Sequence, residues 1–471
     1  MSKVLMIEFN EICSSLIARW SQAGLLPNFS RLRDQSQVYD TVPDIEDPEF
    51  LEPWIQWYSI HTGLPFAQHG VFHLTDGPRA GHPDIWSILR AAGRSVACAG
   101  SMNARAFRDP DGFFLPDPWC TSEAVDPPQL AAYQHVVATL VREYTNTQTP
   151  LTAADYARFL GFLASHGLKP GTVARILAQL ARERLVDPRF SWRRASLLES
   201  LQFDVFKHYY RRRRPDFTTF FANSVAHLQH SYWRNMAPEA FLVRPGADEQ
   251  AVYGDAIRDG YRVMDRLLGD LMDCVGDDTS IILVSALSQQ PFLRHEGRGG
   301  QHFYRPHDVR RLLGALSITP QSVQPTMTHQ FMLTFGDAQT CARARERLQG
   351  CRFANRPLFD LDKPLAPDQL YFCNALSGEV DLGASFEDTV GGRTHRLGDF
   401  FYLMDAVKSG CHHPQGLLWI RSARHDLDVS RQQVSILDIL PTVLSLMQVP
   451  AQAGLIGRPL VRETEPLRRA A

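Results

Sequence analysis

Polar side chains with the capacity for catalysis follow two apolar segments of strand length. Glu8 and Asn10 end the first segment, and their side chains face the same way because they are two residues apart in an extended chain. Ser285 and Gln289 follow the second segment, 281–284. If both segments lie in one parallel sheet, their carboxyl ends meet at the edge where α/β proteins place their sites. The pattern predicts a polar site at that edge.

A second polar group surrounds the pair Pro53-Trp54. Glu52 and Gln56 flank this segment, and the Glu52 carboxyl is a candidate nucleophile or general base. Trp54 and Trp57 can stack on a sugar or a base, although aromatic packing in a core is the commoner role. If Glu8 and Glu52 face each other across a substrate, paired-carboxylate chemistry such as glycosyl transfer is also open.

Residues 295–308 form a polar, glycine-rich stretch after the second segment. Its Arg298 and Arg305 can bind a phosphate, sulfate or carboxylate, with His302 between them as a further donor. A flexible surface loop is the competing interpretation. A P-loop is excluded because the adjacent glycines are not followed by Lys-Ser/Thr.

Strand and helix patterns alternate in the parts of the chain that carry these residues. This alternation predicts an α/β fold with a doubly wound, mostly parallel sheet. Few strand signals occur between 117 and 214, which predicts a helical insertion. The expected organisation is a sheet domain in three parts (1–116, 215–319 and 386–471), a helical insertion (117–214) and a small α+β insertion (320–385).

Composition narrows the class of protein. The 49 Lys and Arg and 51 Asp and Glu give a formal net charge of −2, which favours neither nucleic acid nor an anionic membrane as partner. The run Arg211–Arg214 fits either a solvated helix end or an anion-binding patch. The sequence has no run of about 18 uncharged apolar residues, so no membrane span is expected. Eight scattered cysteines and no signal-peptide pattern predict reduced thiols in a cytoplasmic protein.

Four groups of motifs occur in a fixed order along the chain. They are Val4-Leu-Met-Ile-Glu-Phe-Asn10 with Leu25-Leu-Pro-Asn-Phe-Ser-Arg-Leu32; Ser59-Ile-His-Thr-Gly63 with His69-Gly-Val-Phe72; Pro215-Asp-Phe with His227-Leu-Gln-His230-Ser-Tyr-Trp233; and Gly410-Cys-His412-His-Pro-Gln-Gly416 with Ile436-Leu-Asp-Ile-Leu-Pro-Thr442 and Gly457-Arg-Pro-Leu460. Together they resemble the type I phosphodiesterase and nucleotide pyrophosphatase branch of the alkaline phosphatase superfamily. The resemblance implies an alkaline-phosphatase type of sheet with its site at the carboxyl ends of the strands.

In the resembled family two divalent metals flank a Thr or Ser nucleophile, and this sequence departs from that pattern. The opening-strand Asp corresponds to Asn10, and a later Asp-His pair corresponds to Ala286-Leu287. The nucleophile corresponds to Pro53, or to Glu52 if one residue is inserted. An amide is a poor ligand for such cations and aliphatic side chains are none. The resemblance therefore implies that one of the two metal sites is lost.

The other metal position is partly retained. Its family ligands correspond to Ala226, His230 and His412, so two of three survive, and His227 stands where the family often has Arg. Two imidazoles with a carboxylate from Glu8 or Glu52 could hold one divalent ion such as zinc, leaving an open position. Alternatively, the histidines persist as hydrogen-bonded polar residues without a metal.

The preferred hypothesis is a hydrolase or group-transfer enzyme acting on a small phosphorylated, sulfated or sugar-like metabolite without the dinuclear mechanism. His230 and His412 would then assist acid–base chemistry or hold the single ion. A catalytically inactive relative that binds a ligand or partner in the same cleft is the first alternative. The second is an ordinary metal-dependent phosphodiesterase whose missing ligands are His295-Glu296 or His307-Asp308. The expected partner is a small molecule rather than nucleic acid or a membrane, and no oligomeric state is predicted.

Overall fold

The computed structural model describes residues 2–45, 47, 50–120, 122–142, 150–326, 329–362, 366–376, 378–404 and 407–462. Its helices are α1 (Ser14–Gln22), α2 (Pro27–Asp34), α3 (Pro53–Thr62), α4 (Phe66–His69), α5 (Gly77–Ala80), α6 (Ile85–Ala91), α7 (Ala131–Arg142), α8 (Ala153–Ser165), α9 (Pro170–Leu185), α10 (Arg194–Arg213), α11 (Ser224–Met236), α12 (Ala247–Tyr253), α13 (Ala256–Met272), α14 (Val309–Ala315), α15 (Ala338–Gln349) and α16 (Ile439–Leu446). Its strands are β1 (Lys3–Phe9), β2 (Gln37–Val42), β3 (Val96–Ala99), β4 (Phe113–Leu115), β5 (Phe217–Ala222), β6 (Thr279–Ser285), β7 (Ser288–Pro291), β8 (Tyr304–Pro306), β9 (Ser322–Pro325), β10 (Gln330–Thr334), β11 (Cys351–Phe353), β12 (Arg356–Pro357), β13 (Phe359–Asp362), β14 (Gln369–Asn374), β15 (Ser385–Asp388), β16 (Arg393–Arg396), β17 (Phe401–Leu403), β18 (Gly410–His413), β19 (Gly416–Arg421) and β20 (Gln433–Ser435).

An eight-stranded sheet lies at the centre of the described chain, in the order β20-β2-β19-β6-β1-β5-β3-β4. β19 runs antiparallel to both of its neighbours, and the other neighbouring strands are parallel. The predicted mostly parallel sheet is therefore confirmed.

Both faces of this sheet are covered, as a doubly wound fold requires. Along β1, Leu5, Ile7 and Phe9 enter one apolar core with residues of α11 and α13, while Val4 and Met6 enter a second core with residues of α3 and α16. Apolar side chains on both faces are typical of a strand that is buried on both sides. The predicted α/β class is confirmed.

Two further regions flank the sheet domain. α7, α8, α9 and α10 separate β4 from β5, in the part of the chain predicted to be a helical insertion. A third apolar core gathers residues from β10, β14 and α15 beside two small four-stranded sheets. The domain boundaries remain a prediction, and because β16 ends at Arg396 we expect the smaller insertion to end later than 385. Within the described ranges, no helix has the length and apolarity needed to cross a bilayer.

Candidate metal centre

Three adjacent parallel strands position the candidate site. β6, β1 and β5 lie side by side at the sheet centre, so the segments that follow them emerge at one edge. β1 leads into Glu11, and β5 leads into α11, which carries His230. β6 leads into β7, whose Gln289 pairs with His412 on β18. The chain order thus brings four distant segments together.

Glu11 is the centre of this site, and the sequence did not predict it. Its φ of 59° lies in the left-handed region, which costs a non-glycine residue about 1–2 kcal/mol. This turn directs the carboxylate back towards α11 and β18, and the side chain is 3% exposed. Strained backbone in a buried polar residue is a recurrent feature of functional sites.

Two imidazoles converge on this carboxylate. Glu11 Oε2 lies 3.2 Å from His230 Nε2 and 3.6 Å from His412 Nε2. One ligand atom from each of the three residues lies within 4.8 Å of the other two. Ligands bound to a tetrahedral zinc ion at ordinary bond lengths are about 3.3 Å apart. The spacing therefore suits a single divalent ion.

Hydrogen bonds hold the Glu11 carboxylate in place. Asn10 Nδ2 donates to Glu11 Oε1 over 2.9 Å, and Gln289 Nε2 donates to Oε2. Gln229 Nε2 donates to the backbone carbonyl of Glu11 over 2.8 Å. Such outer partners fix the orientation of a metal ligand.

The tautomer of His230 leaves its second nitrogen available as a ligand. Nδ1 lies 3.2 Å from the carbonyl oxygen of Gly410, which can only accept, so Nδ1 carries the proton. In the neutral ring Nε2 then presents a lone pair to the Glu11 carboxylate. His230 Nε2 in this form and Glu11 Oε2 are both acceptors and lie 3.2 Å apart. Either a metal ion or a second proton on the imidazole ring must therefore lie between them.

The protonation states of Glu11 and His412 favour metal binding. Burial raises the pKa of Glu11, but the imidazoles of His412 and His230 outweigh it and lower the value to about 2. Burial lowers the pKa of His412 to about 4. At neutral pH the carboxylate is therefore charged and the His412 ring is neutral, which are the states that bind metals. The donor set fits one divalent ion.

Glu52 borders the same centre. Its Oε2 lies 3.6 Å from His412 Nδ1, and the residue occupies the N-cap position of α3. Burial raises the pKa of Glu52 to about 8, against the opposing effect of the Lys408 cation. A carboxyl group and a cation therefore flank the open side of the cluster.

Comparison with known proteins places the chain in a family. Residues 4–297 match the type I phosphodiesterase / nucleotide pyrophosphatase family. The chain belongs to this family. Its members are metal-dependent hydrolases of the alkaline phosphatase superfamily. No curated protein sequence matches the chain.

Solved structures of the superfamily show a weak overall likeness. Phosphonoacetate hydrolase from Sinorhizobium meliloti, in complex with phosphonoformate, has a TM-score of 0.45 and 13% identity over 96% of each chain. Alkaline phosphatase PafA has a TM-score of 0.46 and 12% identity over 97% of this chain and 98% of its own. Murine ectonucleotide pyrophosphatase / phosphodiesterase 5 has a TM-score of 0.40 and 10% identity over 98% and 100%. Family membership therefore depends on the sequence match.

The second metal position of this phosphodiesterase family member lacks suitable donors. Asn10 Oδ1 accepts from Trp57 Nε1 over 2.7 Å, and its Nδ2 donates to Asn223 as well as to the Glu11 carboxylate. Ala286 and Leu287 are fully buried, and their side chains have no donor atom for a metal. All polar atoms of the Asn10 amide thus have partners, and the residues do not fit a second ion.

Several predicted site residues lie in the core rather than at the cluster. Glu8 is fully buried and pairs with His61 over 2.8 Å, so the carboxylate that meets the histidines is Glu11 and not Glu8. Trp57 is fully buried, and Trp54 is 9% exposed with its indole donating to Phe72. The expected tryptophan stacking surface is therefore not open to solvent.

Other predicted residues support the surroundings of the site. Ser285 is buried and donates to the Leu287 carbonyl, and Gln56 is buried with a long bond of 3.4 Å to the Phe50 carbonyl. His227 is half-buried on α11, and burial lowers its pKa to about 4.

The predicted substrate loop at 295–308 is anchored to the protein. Glu296 is buried and accepts from Arg234 and from backbone amides at 242 and 243. Arg305 is 4% exposed and donates to the Arg142 carbonyl. His302 is half-buried, and the side chain of Arg298 lies outside the described part. The proposed replacement ligands are also engaged, since Asp308 caps α14.

Proposed function

We propose that this chain is a hydrolase of small phosphate or sulfate esters that works with one divalent ion instead of two. The observation that supports this most directly is the convergence of three ligand atoms, from Glu11, His230 and His412, within 4.8 Å. The mutual position of the three residues fits the two-imidazole, one-carboxylate set of catalytic zinc sites. Lys408 next to Glu52 favours an anionic substrate.

Each residue has a distinct role in this proposal. Glu11, His230 and His412 would hold the ion, and the bound ion would supply Lewis-acid polarisation of an ester oxygen. Hydrolysis joins the oxygen of water to phosphorus or sulfur, breaks the ester bond and transfers a proton to the leaving oxygen. Glu52 is placed to carry that proton because its carboxyl group borders the open side of the cluster.

Turnover by the metal-loaded protein tests the proposal. Nitrophenyl phosphate monoesters, diesters and sulfates are assayed with protein as purified, after chelation and after return of Zn²⁺. We expect hydrolysis of at least one class, loss on chelation and recovery with the ion. Glu52→Gln should lower kcat by about 10²–10⁴-fold, as for other proton-transfer groups, and keep the metal. Metal-loaded protein that hydrolyses none of the esters would contradict the proposal.

Binding without turnover is the second candidate function. It is favoured by the turn before α3, where Glu52 is the N-cap and Pro53 the first helical residue, so neither position offers a hydroxyl nucleophile. This candidate predicts that phosphate or sulfate monoesters raise the melting temperature without being hydrolysed. It also predicts that Glu52→Gln leaves their affinity unchanged, whereas turnover that this variant abolishes rules it out.

A further inference from the structure

Helix α9 of the helical region buries polar side chains and exposes leucines. Its buried residues are Thr172, Gln179 and Glu183, which are all polar. Leu177 and Leu180 are 60% and 47% exposed on the other side. A helix packed on a globular core normally buries its apolar side chains and exposes the polar ones. The reversed arrangement calls for an apolar environment outside the protein.

Specific hydrogen bonds fix this orientation. Gln179 Nε2 donates to the Phe190 carbonyl over 2.8 Å and to Glu183 Oε1 over 2.9 Å. Arg194 Nε donates to both carboxylate oxygens of Glu183 over 2.9 and 3.0 Å. Rotating the helix to bury its leucines would break these bonds and leave buried polar groups unpaired, which is costly.

The apolar surface continues past the end of the helix. Leu185 and Val186 are 81% and 70% exposed. Among the thirteen large apolar side chains that are exposed in the described part, seven belong to the helical region: Leu140, Tyr156, Leu160, Leu177, Leu180, Leu185 and Val186. Concentrated apolar exposure marks a surface that binds another protein or a membrane.

The same part of the chain is strongly basic. Residues 131–214, which include α7 to α10, contain fourteen Lys and Arg and six Asp and Glu, a net charge of +8 in a chain of −2. The rest of the chain is therefore at −10. The local charge distribution is complementary to an anionic surface, although the whole protein is nearly neutral.

Cations lie along both the side and the start of α9. Partial burial of the Arg266 guanidinium and the neighbouring cations Arg175 and Arg262 lower the pKa of Arg266, which places these three arginines of α9 and α13 close together. All three are exposed.

At the start of the helix, three more cations surround Cys274. Burial raises the pKa of the Cys274 thiol, and Lys207, Arg211 and Lys169 oppose the rise. Lys169 occupies the N-cap position of α9. The apolar face of α9 thus has a basic rim.

We propose that α9 and this basic rim bind the surface of an anionic lipid bilayer. An interfacial helix buries its apolar face at the boundary of headgroups and acyl chains, and flanking Lys and Arg meet the lipid phosphates. A second copy of the chain fits less well, because two surfaces of like charge would meet. An acidic protein also fits less well, because the exposed residues of α9 are mainly leucine, alanine and arginine, without the tryptophan and tyrosine anchors that are enriched at protein interfaces.

Vesicle co-sedimentation of the full chain tests this. The probes are vesicles of phosphatidylcholine with phosphatidylserine and vesicles of phosphatidylcholine alone. We expect binding to the anionic vesicles that weakens as salt is raised, and little binding to the neutral ones. Leu177→Glu/Leu180→Glu should reduce binding at least about tenfold, and Arg262→Gln/Arg266→Gln should reduce it several-fold.

The matched control is Leu242→Glu/Val429→Glu, which changes side chains that are 78% and 61% exposed outside the helical region and should leave binding unchanged. Circular dichroism and melting temperature establish that each variant is folded. No binding to anionic vesicles, or equal binding by wild type and the α9 variant, overturns the proposal. A dimer in solution that Leu177→Glu/Leu180→Glu dissociates also overturns it, because a second copy would then cover this face.

Discussion

The Glu11 cluster and the Asn10 position of this phosphodiesterase family member involve adjacent residues of the chain and differ in how their polar atoms are satisfied. At Glu11, a carboxylate and two imidazole nitrogens point at one another, and either a metal ion or a ring proton must lie between His230 Nε2 and the carboxylate. At Asn10, the amide oxygen accepts a hydrogen bond from Trp57, and the amide nitrogen donates to Glu11 and Asn223. The amide of Asn10 has partners for all its polar atoms and offers no free ligand atom, whereas the converging acceptors at Glu11 leave a place that a cation would fill.

The largest effect is expected from Glu11→Gln, because it removes the charged ligand. Metal affinity should fall by more than about 100-fold, beyond the range seen for outer partners of ligands. The matched control is Glu8→Gln, a buried carboxyl group on β1 that pairs with His61 instead. The fall in melting temperature on chelation measures metal binding in both variants. Equal loss of the metal in both variants would show that Glu11 does not act as a specific metal ligand.

A smaller effect is expected from Gln289→Ala. Gln289 holds one oxygen of the Glu11 carboxylate, so its loss should weaken metal affinity about 10–100-fold, as for other outer partners. The control is Gln22, which is exposed at the end of α1, and Gln22→Ala should change affinity little. Competition with a fluorescent chelator gives both affinities. An unchanged affinity in Gln289→Ala would show that the Glu11 orientation does not depend on this bond.

Asn10→Asp introduces the aspartate that the family resemblance implies at this position, and it tests the Asn10 half of the comparison. The carboxylate cannot donate to Glu11 or Asn223 and adds a like charge, so the free energy of unfolding should fall by about 1–3 kcal/mol. Elemental analysis should still give one ion per chain, since Ala286 and Leu287 supply no donors. Two ions per chain would show that the position was recoverable.

The smallest effect is expected from Asn223→Ala, which removes one partner of the Asn10 amide. The free energy of unfolding should fall by about 0.5–1.5 kcal/mol, because one hydrogen bond at an exposed residue is lost. Metal affinity should be unchanged, since Asn10 still donates to Glu11. Urea unfolding with a parallel metal titration separates the two quantities, and a large loss of affinity would mean that the two positions are coupled.

The sequence predicted the sheet and the two histidines of the cluster because both leave local or ordered signals. The apolar run of β6 and the motifs around His230 and His412 identified the strand and the imidazoles. Glu8 was weighed as the carboxylate ligand because strand periodicity places it beside Asn10. Glu11 was missed because a left-handed backbone, which nothing in its residue type indicates, turns it into the site. Long-range bonds such as those of Gln289 have no sequence signature.

The net charge of the whole chain shows a similar limit of prediction from sequence, because an average conceals local differences. A net charge of −2 over the whole chain favoured neither nucleic acid nor an anionic membrane, but it averages a helical region of +8 with a remainder of −10. The inverted face of α9 was likewise hidden, because helical periodicity identifies an apolar stripe without saying which side packs on the protein.

Metal content is the most direct measurement of the central claim. Protein purified without chelator is analysed for divalent metals by elemental analysis, for wild type and for Glu11→Gln. The account predicts one ion per chain in the wild type and almost none in the variant. A wild-type protein without metal, or a variant that keeps its ion, would contradict the assignment of Glu11, His230 and His412 as a metal centre.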